Sequence, residues 1–192
     1  MVTRTNSHAP IVGYYASAVK IFNQSHYVVC RDNLIIDNPH ASGIWYDVGN
    51  NHGQVLSNWI ETTNDGFFFE ISEGAVCAGN VFVDCTPGVR ILNSADVGVY
   101  QNTFYNSSIE VIRDLRSSEA VDHFGWHASS GPSVADRDRH VITNNLLLSM
   151  KPIPAGLIQY REGAGVEKVA KNAQVQTLDG NVYVRRALGT PL

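Results

Sequence analysis

The chain has 192 residues, a net charge of −4, and charged side chains at only 17% of its positions. This length fits one domain, and the weakly negative charge argues against a nucleic-acid-binding surface. No apolar run reaches the length of a membrane span, and no signal peptide is visible at Met1–Arg4.

Five segments between residues 17 and 112 repeat one pattern, a small residue followed by an alternating strand. They are Ala18–Phe22, Gly43–Asp47, Gly66–Glu70, Gly88–Leu92 and Ser108–Ile112. A period of about 20–25 residues indicates a solenoid. Because the segments are β-branched, aromatic and alternating, they favour an all-β fold, a right-handed parallel β-helix, over helical repeats. The leucine frame of leucine-rich repeats is absent.

A second register of asparagines supports the same fold. Each opens a short apolar run, and the set is Asn33, Asn58, Asn80, Asn102, Asn145 and Asn181. Asparagine tolerates the left-handed conformation that sharp corners need, and stacked amides can form a ladder. We therefore predict one asparagine at the same corner of successive coils.

The repeat is interrupted once. We predict a single β-helix domain over 1–192, with six or seven coils in all. Regular coils cover 17–112, a long loop covers 113–140, and two weaker coils lie within 141–186. Such a long loop is usually functional. Neither end resembles a polar cap, so we expect a piece of a longer chain whose uncapped coil ends self-associate. For that longer parent we expect a secreted or periplasmic location.

The segments Gly43–Val48 and Gly66–Ser72 resemble paired motifs of bacterial proteins in the pectate-lyase-like superfamily of right-handed β-helices. The resemblance covers roughly residues 17–184. It implies the β-helix fold and a carbohydrate-active protein, but not one reaction, because the superfamily hosts lyases, hydrolases, epimerases, esterases and non-catalytic proteins. Neither the clustered aspartates of polygalacturonases nor a trustworthy pectate-lyase arginine motif is present.

Strand alternation predicts two outward columns of side chains on neighbouring coils. One column holds Lys20, Trp45, Phe68, Arg90 and Glu110, and the other holds Phe22, Asp47, Glu70, Leu92 and Ile112. With coils about 4.8 Å apart, the two carboxyls of the second column are expected roughly 5 Å from each other.

The carboxyl pair Asp47 and Glu70 is the predicted catalytic site, with Asp47 as the nucleophile and Glu70 as the acid/base, although the two roles could be exchanged. The neighbouring column is predicted to bind substrate, because aromatic faces beside carboxylates commonly hold a sugar ring. The long loop leaves the strand beside both columns, so Trp126 and His127 are added to the predicted sugar site. Solvated surface charges and an aromatic satellite core are the alternative interpretations.

Three functions remain open. A glycoside hydrolase needs no cofactor, and its retaining form needs two carboxylates about 5 Å apart. A polysaccharide lyase would hold calcium at these carboxylates and use Lys20 or Arg90 as the base. A non-catalytic structural or glycan-binding β-helix needs neither a catalytic carboxyl pair nor calcium. Carbohydrate is the predicted partner of the hydrolase, the lyase and the glycan-binding protein, and the sequence names neither the sugar nor the linkage.

Overall fold

The structure is a computed structural model that describes residues 1–3, 16–116, 131–152 and 156–186. After a short strand at the start, every coil contributes three strands. In chain order the strands are β1 Val2–Thr3, β2 Ser17–Phe22, β3 Val29–Arg31, β4 Leu34–Asn38, β5 Ser42–Asp47, β6 Asn51–Leu56, β7 Trp59–Thr63, β8 Phe67–Glu70, β9 Glu73–Ala78, β10 Val81–Val83, β11 Val89–Leu92, β12 Ala95–Tyr100, β13 Thr103–Tyr105, β14 Ile109–Arg113, β15 His140–Thr143, β16 Leu146–Ser149, β17 Ile158–Glu162, β18 Val175–Asp179 and β19 Val182–Arg185.

The strands form three parallel sheets. Sheet I is made of β2, β5, β8, β11, β14 and β17, and sheet II of β3, β6, β9, β12, β15 and β18. Sheet III is made of β1, β4, β7, β10, β13, β16 and β19. Each strand pairs with the strand one coil away, which confirms the predicted right-handed parallel β-helix with six three-stranded coils.

The small residue at the start of each repeat is required by close packing of the coils. A Cβ on Gly43 would lie 2.6 Å from the carbonyl oxygen of Gly66, and one on Gly66 would lie 2.4 Å from that of Gly88. Side chains do not fit at these distances, so successive coils stack glycine upon glycine where sheet I begins. This explains the repeat that the sequence displays.

The residues that alternate with the two outward columns of sheet I point into the interior of the coils. Ile44, Phe69, Val89 and Val111 are fully buried and belong to one continuous apolar cluster. Tyr46 is also fully buried, and its hydroxyl donates to the carbonyl oxygen of Val28 at 3.0 Å. The interior is therefore an apolar core built by alternate residues of all three sheets.

The asparagine ladder is confirmed residue by residue. The side-chain amide of Asn58 donates to Oδ1 of Asn80 at 2.9 Å, and that of Asn80 donates to Oδ1 of Asn102 at 2.9 Å. The same contact joins Asn33, Asn58, Asn80, Asn102, Asn145 and Asn181 in order.

One detail of the ladder prediction is wrong: the left-handed residue precedes each asparagine. Ser57 has φ of 53° and Gln101 has φ of 53°. The asparagine itself is free to point its amide across coils because the preceding residue makes the turn.

The second half departs from the prediction in two places. Strand β14 extends to Arg113, and a single-turn 3-10 helix lies at Val134–Asp136 inside the predicted loop. The two weaker coils are one coil, made by β17, β18 and β19 with a 3-10 turn at Val166–Lys168 between the first two. Within the described residues, no helix is long and apolar enough to cross a membrane.

The last coil exposes part of its apolar surface. Tyr160, Leu178 and Tyr183 are 47%, 47% and 38% exposed. Their partners in register one coil earlier, Val111, Ile142 and Leu147, are fully buried. Self-association through the coil ends remains a prediction, which substitution of these side chains can test.

Candidate functional site

The two outward columns of sheet I are present in the predicted order. The register aligns Lys20 with Trp45, Trp45 with Phe68, Phe68 with Arg90, and Arg90 with Glu110. In the second column, the register places these residues in one line: Phe22, Asp47, Glu70, Leu92, Ile112 and Arg161. The predicted carboxyls thus lie on adjacent strands.

Each predicted catalytic carboxyl is buried and neutralised by a cation. Asp47 is 7% exposed and lies 2.9 Å from Nζ of Lys20. Glu70 is 3% exposed, and its Oε1 accepts from Nη2 of Arg116 at 2.8 Å. Burial raises the pKa of Asp47, and Lys20 partly opposes this. Arg116, absent from the sequence prediction, is therefore the partner of Glu70.

The aromatic pair is a small core rather than an open platform. The rings of Trp45 and Phe68 stack with centroids 5.0 Å apart, as the columns predict. Their exposed fractions are 0% and 1%, so the prediction that they present open faces to a sugar is wrong. They form a second apolar cluster with Leu92 and Ile112, which favours the satellite-core interpretation. Nζ of Lys20 lies 3.5 Å from the Trp45 ring centroid, a cation–π contact.

Arg90 does not neutralise the predicted acid pair. Its Nε donates to Glu110 at 2.8 Å, and its Nη1 lies 3.0 Å from Asp65. Asp65 is 2% exposed, and burial raises its pKa although Arg90 opposes this. The sequence contains a signal for Asp65, because Asp65 precedes Gly66 just as Ser42 precedes Gly43 one coil earlier. In the structure, the hydroxyl of Ser42 donates to the carboxylate of Asp65 at 3.0 Å.

Beside these acids, three guanidiniums line one cavity of about 460 Å³, here called the arginine pocket. Its apolar floor is Leu92 and Ile112, which are neighbours in register. The guanidiniums belong to Arg90, Arg116 and Arg161. The side chains of the last two are 46% and 59% exposed.

Buried carboxylates hold the arginines of the pocket. Glu110 is 6% exposed and pairs with both Arg90 and Arg161, and Glu70 pairs with Arg116. Such pairs fix the plane of each guanidinium before a ligand arrives.

Two further acids line the pocket and are engaged elsewhere. Asp114 accepts from the side chain of Asn93 at 2.7 Å and from the backbone N–H of Arg116 at 2.8 Å. Glu162 pairs with the buried Arg113. Trp126 and His127, the remaining predicted sugar-binding residues, lie outside the described residues.

A metal site does not emerge from the part of the chain that the structure describes. No group there of three or more His, Cys, Asp or Glu side chains is placed to hold a metal ion. Cys30, Cys77 and Cys85 are free thiols. Burial raises the pKa of each, in the case of Cys85 to about 11, which disfavours the thiolate that binds metals.

Comparison with known proteins gives one match. The family model described as "Periplasmic copper-binding protein (NosD)" matches residues 17–129, which is more than half of the chain. No curated protein and no solved structure matches. The matched range contains the first four coils, strand β14 of the fifth and both outward columns of sheet I.

Proposed function

We propose that this chain, which belongs to the NosD family of β-helix proteins, binds acidic oligosaccharides at the arginine pocket without catalysis. The proposal rests on the site, because the fold alone hosts many activities. The observation that carries the proposal is the convergence of three carboxylate-held guanidiniums on one cavity with an apolar floor. A planar guanidinium fork matches a sugar carboxylate, as in a uronic acid, better than it matches a neutral hydroxyl.

The size and the floor of the pocket suit one or two sugar rings. The C–H face of a pyranose can lie on Leu92 and Ile112, while its carboxylate reaches Arg161 or Arg116 at the rim. Guanidiniums that are already oriented lose little side-chain entropy when they bind. The buried partners of the arginines act as positioning residues in this account.

The absence of catalysis is inferred from the state of the acid pair. An acid/base group must be able to reach the glycosidic oxygen, and Asp47 and Glu70 are 7% and 3% exposed and already paired with cations. Calcium at the same place would have to displace Lys20 and Arg116. The aromatic pair beside them is buried as well.

Copper, which the family description names, is a poor fit to the described residues, because no three or more His, Cys, Asp or Glu side chains among them are placed to hold a metal ion. Burial raises the pKa of the Cys77 and Cys85 thiols, which disfavours the thiolate form that binds metals. His140 is buried, and its Nδ1 accepts from the backbone N–H of Val97 at 3.2 Å, so that nitrogen is already used. Sugar binding at the arginine pocket needs no copper.

Binding of hexagalacturonate, measured by isothermal titration calorimetry, tests the proposal. We expect Arg161→Ala to weaken binding about tenfold or more, the cost of one charge-assisted contact. Arg161→Lys keeps the charge without the fork and should fall in between. Arg31, whose side chain is 72% exposed and lies on sheet II, is the matched control for loss of a surface arginine. Failure of the hexamer to bind, or equal affinity of Arg161→Ala and the unchanged chain, would refute the proposal.

A retaining glycoside hydrolase at Asp47 and Glu70 is the second candidate. Two observations favour it: the carboxyls lie on adjacent strands in register, and burial raises the pKa of Asp47, as an acid catalyst needs. New reducing ends that disappear in both Asp47→Asn and Glu70→Gln would establish it. A calcium-dependent lyase would instead produce ultraviolet-absorbing unsaturated ends.

A further inference from the structure

A second cavity, of about 440 Å³, lies on the outward face of sheet II and spans several coils; we call it the sheet II groove. The register places Val76, Gly98 and Val141 in one row across three coils. Tyr100 follows in the next row, between Ala78 and Thr143. None of these residues belongs to the arginine pocket.

The floor of the groove is made by an aromatic ring lying on a glycine. A Cβ built on Gly98 would lie 2.2 Å from Cε2 and 2.4 Å from Cζ of Tyr100, so the phenol ring occupies the space above that glycine. Val76 and Val141 flank Gly98 in register, and Val76 is 38% exposed. Only glycine allows the ring to lie there. The ring and the valines together form an apolar floor.

The polar edge is fixed by a two-pronged ion pair. Nε of Arg139 donates to Oδ1 of Asp96 at 2.8 Å, and its Nη2 donates to Oδ2 at 2.6 Å. Arg139 also contacts Asp138 at 3.0 Å and Glu73 at 3.5 Å. These contacts hold the pKa of Asp96 below its ordinary range. Three carboxyls therefore surround one arginine. This excess of negative charge disfavours acidic ligands.

We propose that the sheet II groove binds a neutral oligosaccharide. A neutral pyranose has an apolar C–H face, which would lie on Tyr100, and a rim of hydroxyls, which can donate to Asp96 and accept from Arg139. His52, Gln54 and Gln176 line the same cavity and offer further hydrogen-bonding partners. An apolar floor with a few fixed polar groups is the usual design of a small-molecule site. The inference does not depend on the arginine pocket, because the two sites lie on different sheets and differ in charge.

The test uses the full chain and three neutral probes, cellohexaose, xylohexaose and mannohexaose, in calorimetric titrations. We expect at least one hexamer to bind. Tyr100→Ala should weaken its affinity about tenfold or more, and the affinity of Tyr100→Phe should stay within about threefold of that of the unchanged chain. Gly98→Ala should also weaken binding, since its methyl group would displace the ring. Tyr105, a tyrosine 39% exposed on sheet III, provides the control Tyr105→Ala, which should bind unchanged.

Two results would overturn the inference. One is no binding of any of the three hexamers. The other is equal binding by Tyr100→Ala and the unchanged chain, with circular dichroism showing both folded. Hexagalacturonate titrated into Tyr100→Ala separates the two sites: its affinity should not change, so failure of the groove and failure of the arginine pocket are distinguishable.

Discussion

Replacement of Phe68 by alanine distinguishes a structural ring from a sugar-binding ring. Phe68 is 1% exposed and stacks on Trp45 with centroids 5.0 Å apart. Removal of a fully buried phenylalanine costs about 3–5 kcal/mol in free energy of unfolding. With a urea m value of roughly 2 kcal/mol per molar, the midpoint of unfolding should fall by about 1.5–2.5 M.

The matched control is Phe22→Ala, because Phe22 also lies on the outward side of sheet I and is 51% exposed. We expect this variant to lose less than about 1 kcal/mol. Urea unfolding followed by circular dichroism measures both variants. If Phe68→Ala keeps its midpoint but loses oligosaccharide binding, the ring serves a ligand and the satellite-core interpretation is refuted.

Three further predictions concern the coils themselves. Asn80→Ala should cost about 2–4 kcal/mol in urea unfolding, because it leaves buried amide groups of its neighbours unpaired, whereas Asn33→Ala, at the half-exposed end of the ladder, should cost clearly less. Burial lowers the pKa of His140 to about 3, so its contribution to stability should be complete above pH 6.5 and lost as the pH falls from 6.5 toward 3. His140→Gln should remove this part of the pH dependence of the free energy of unfolding, whereas the control His26→Gln, at an exposed site, should keep it. Self-association measured by sedimentation should weaken in Leu178→Lys, since that side chain is 47% exposed on the last coil, and an unchanged association constant would refute the role of this surface.

The solenoid, its columns and its ladder could be read from the sequence because a stacked coil repeats one steric requirement. Gly43 and Gly66 recur since each faces a glycine carbonyl oxygen of the next coil, and Gly88 recurs since it faces the ring of Phe104 and the side chain of Ser107. The asparagines recur because each amide binds the next. Period-two alternation then fixed which residues share a column, so the adjacency of Asp47 and Glu70 followed directly.

The contents of the site could not be read in the same way. Register predicts neighbours along a sheet, but it does not predict how much of an outward residue is covered, and the burial of Trp45 and Phe68 was therefore missed. Arg116 was missed because it follows the last residue of β14 and belongs to no column. Asp65 was missed because it stands at the corner just before β8, where alternation assigns no face.

Titration of hexagalacturonate into the unchanged chain and into Arg161→Ala, at about 50 and 500 mM salt, measures whether the arginine pocket recognises an acidic sugar. We expect binding to the unchanged chain that weakens with salt, because screening reduces attraction between a carboxylate and exposed guanidiniums. We also expect Arg161→Ala to bind about tenfold or more weakly at the lower salt concentration, with no new reducing or unsaturated ends in either sample. Equal affinity of the two proteins, or products of cleavage, would contradict non-catalytic recognition of an acidic sugar at the arginine pocket.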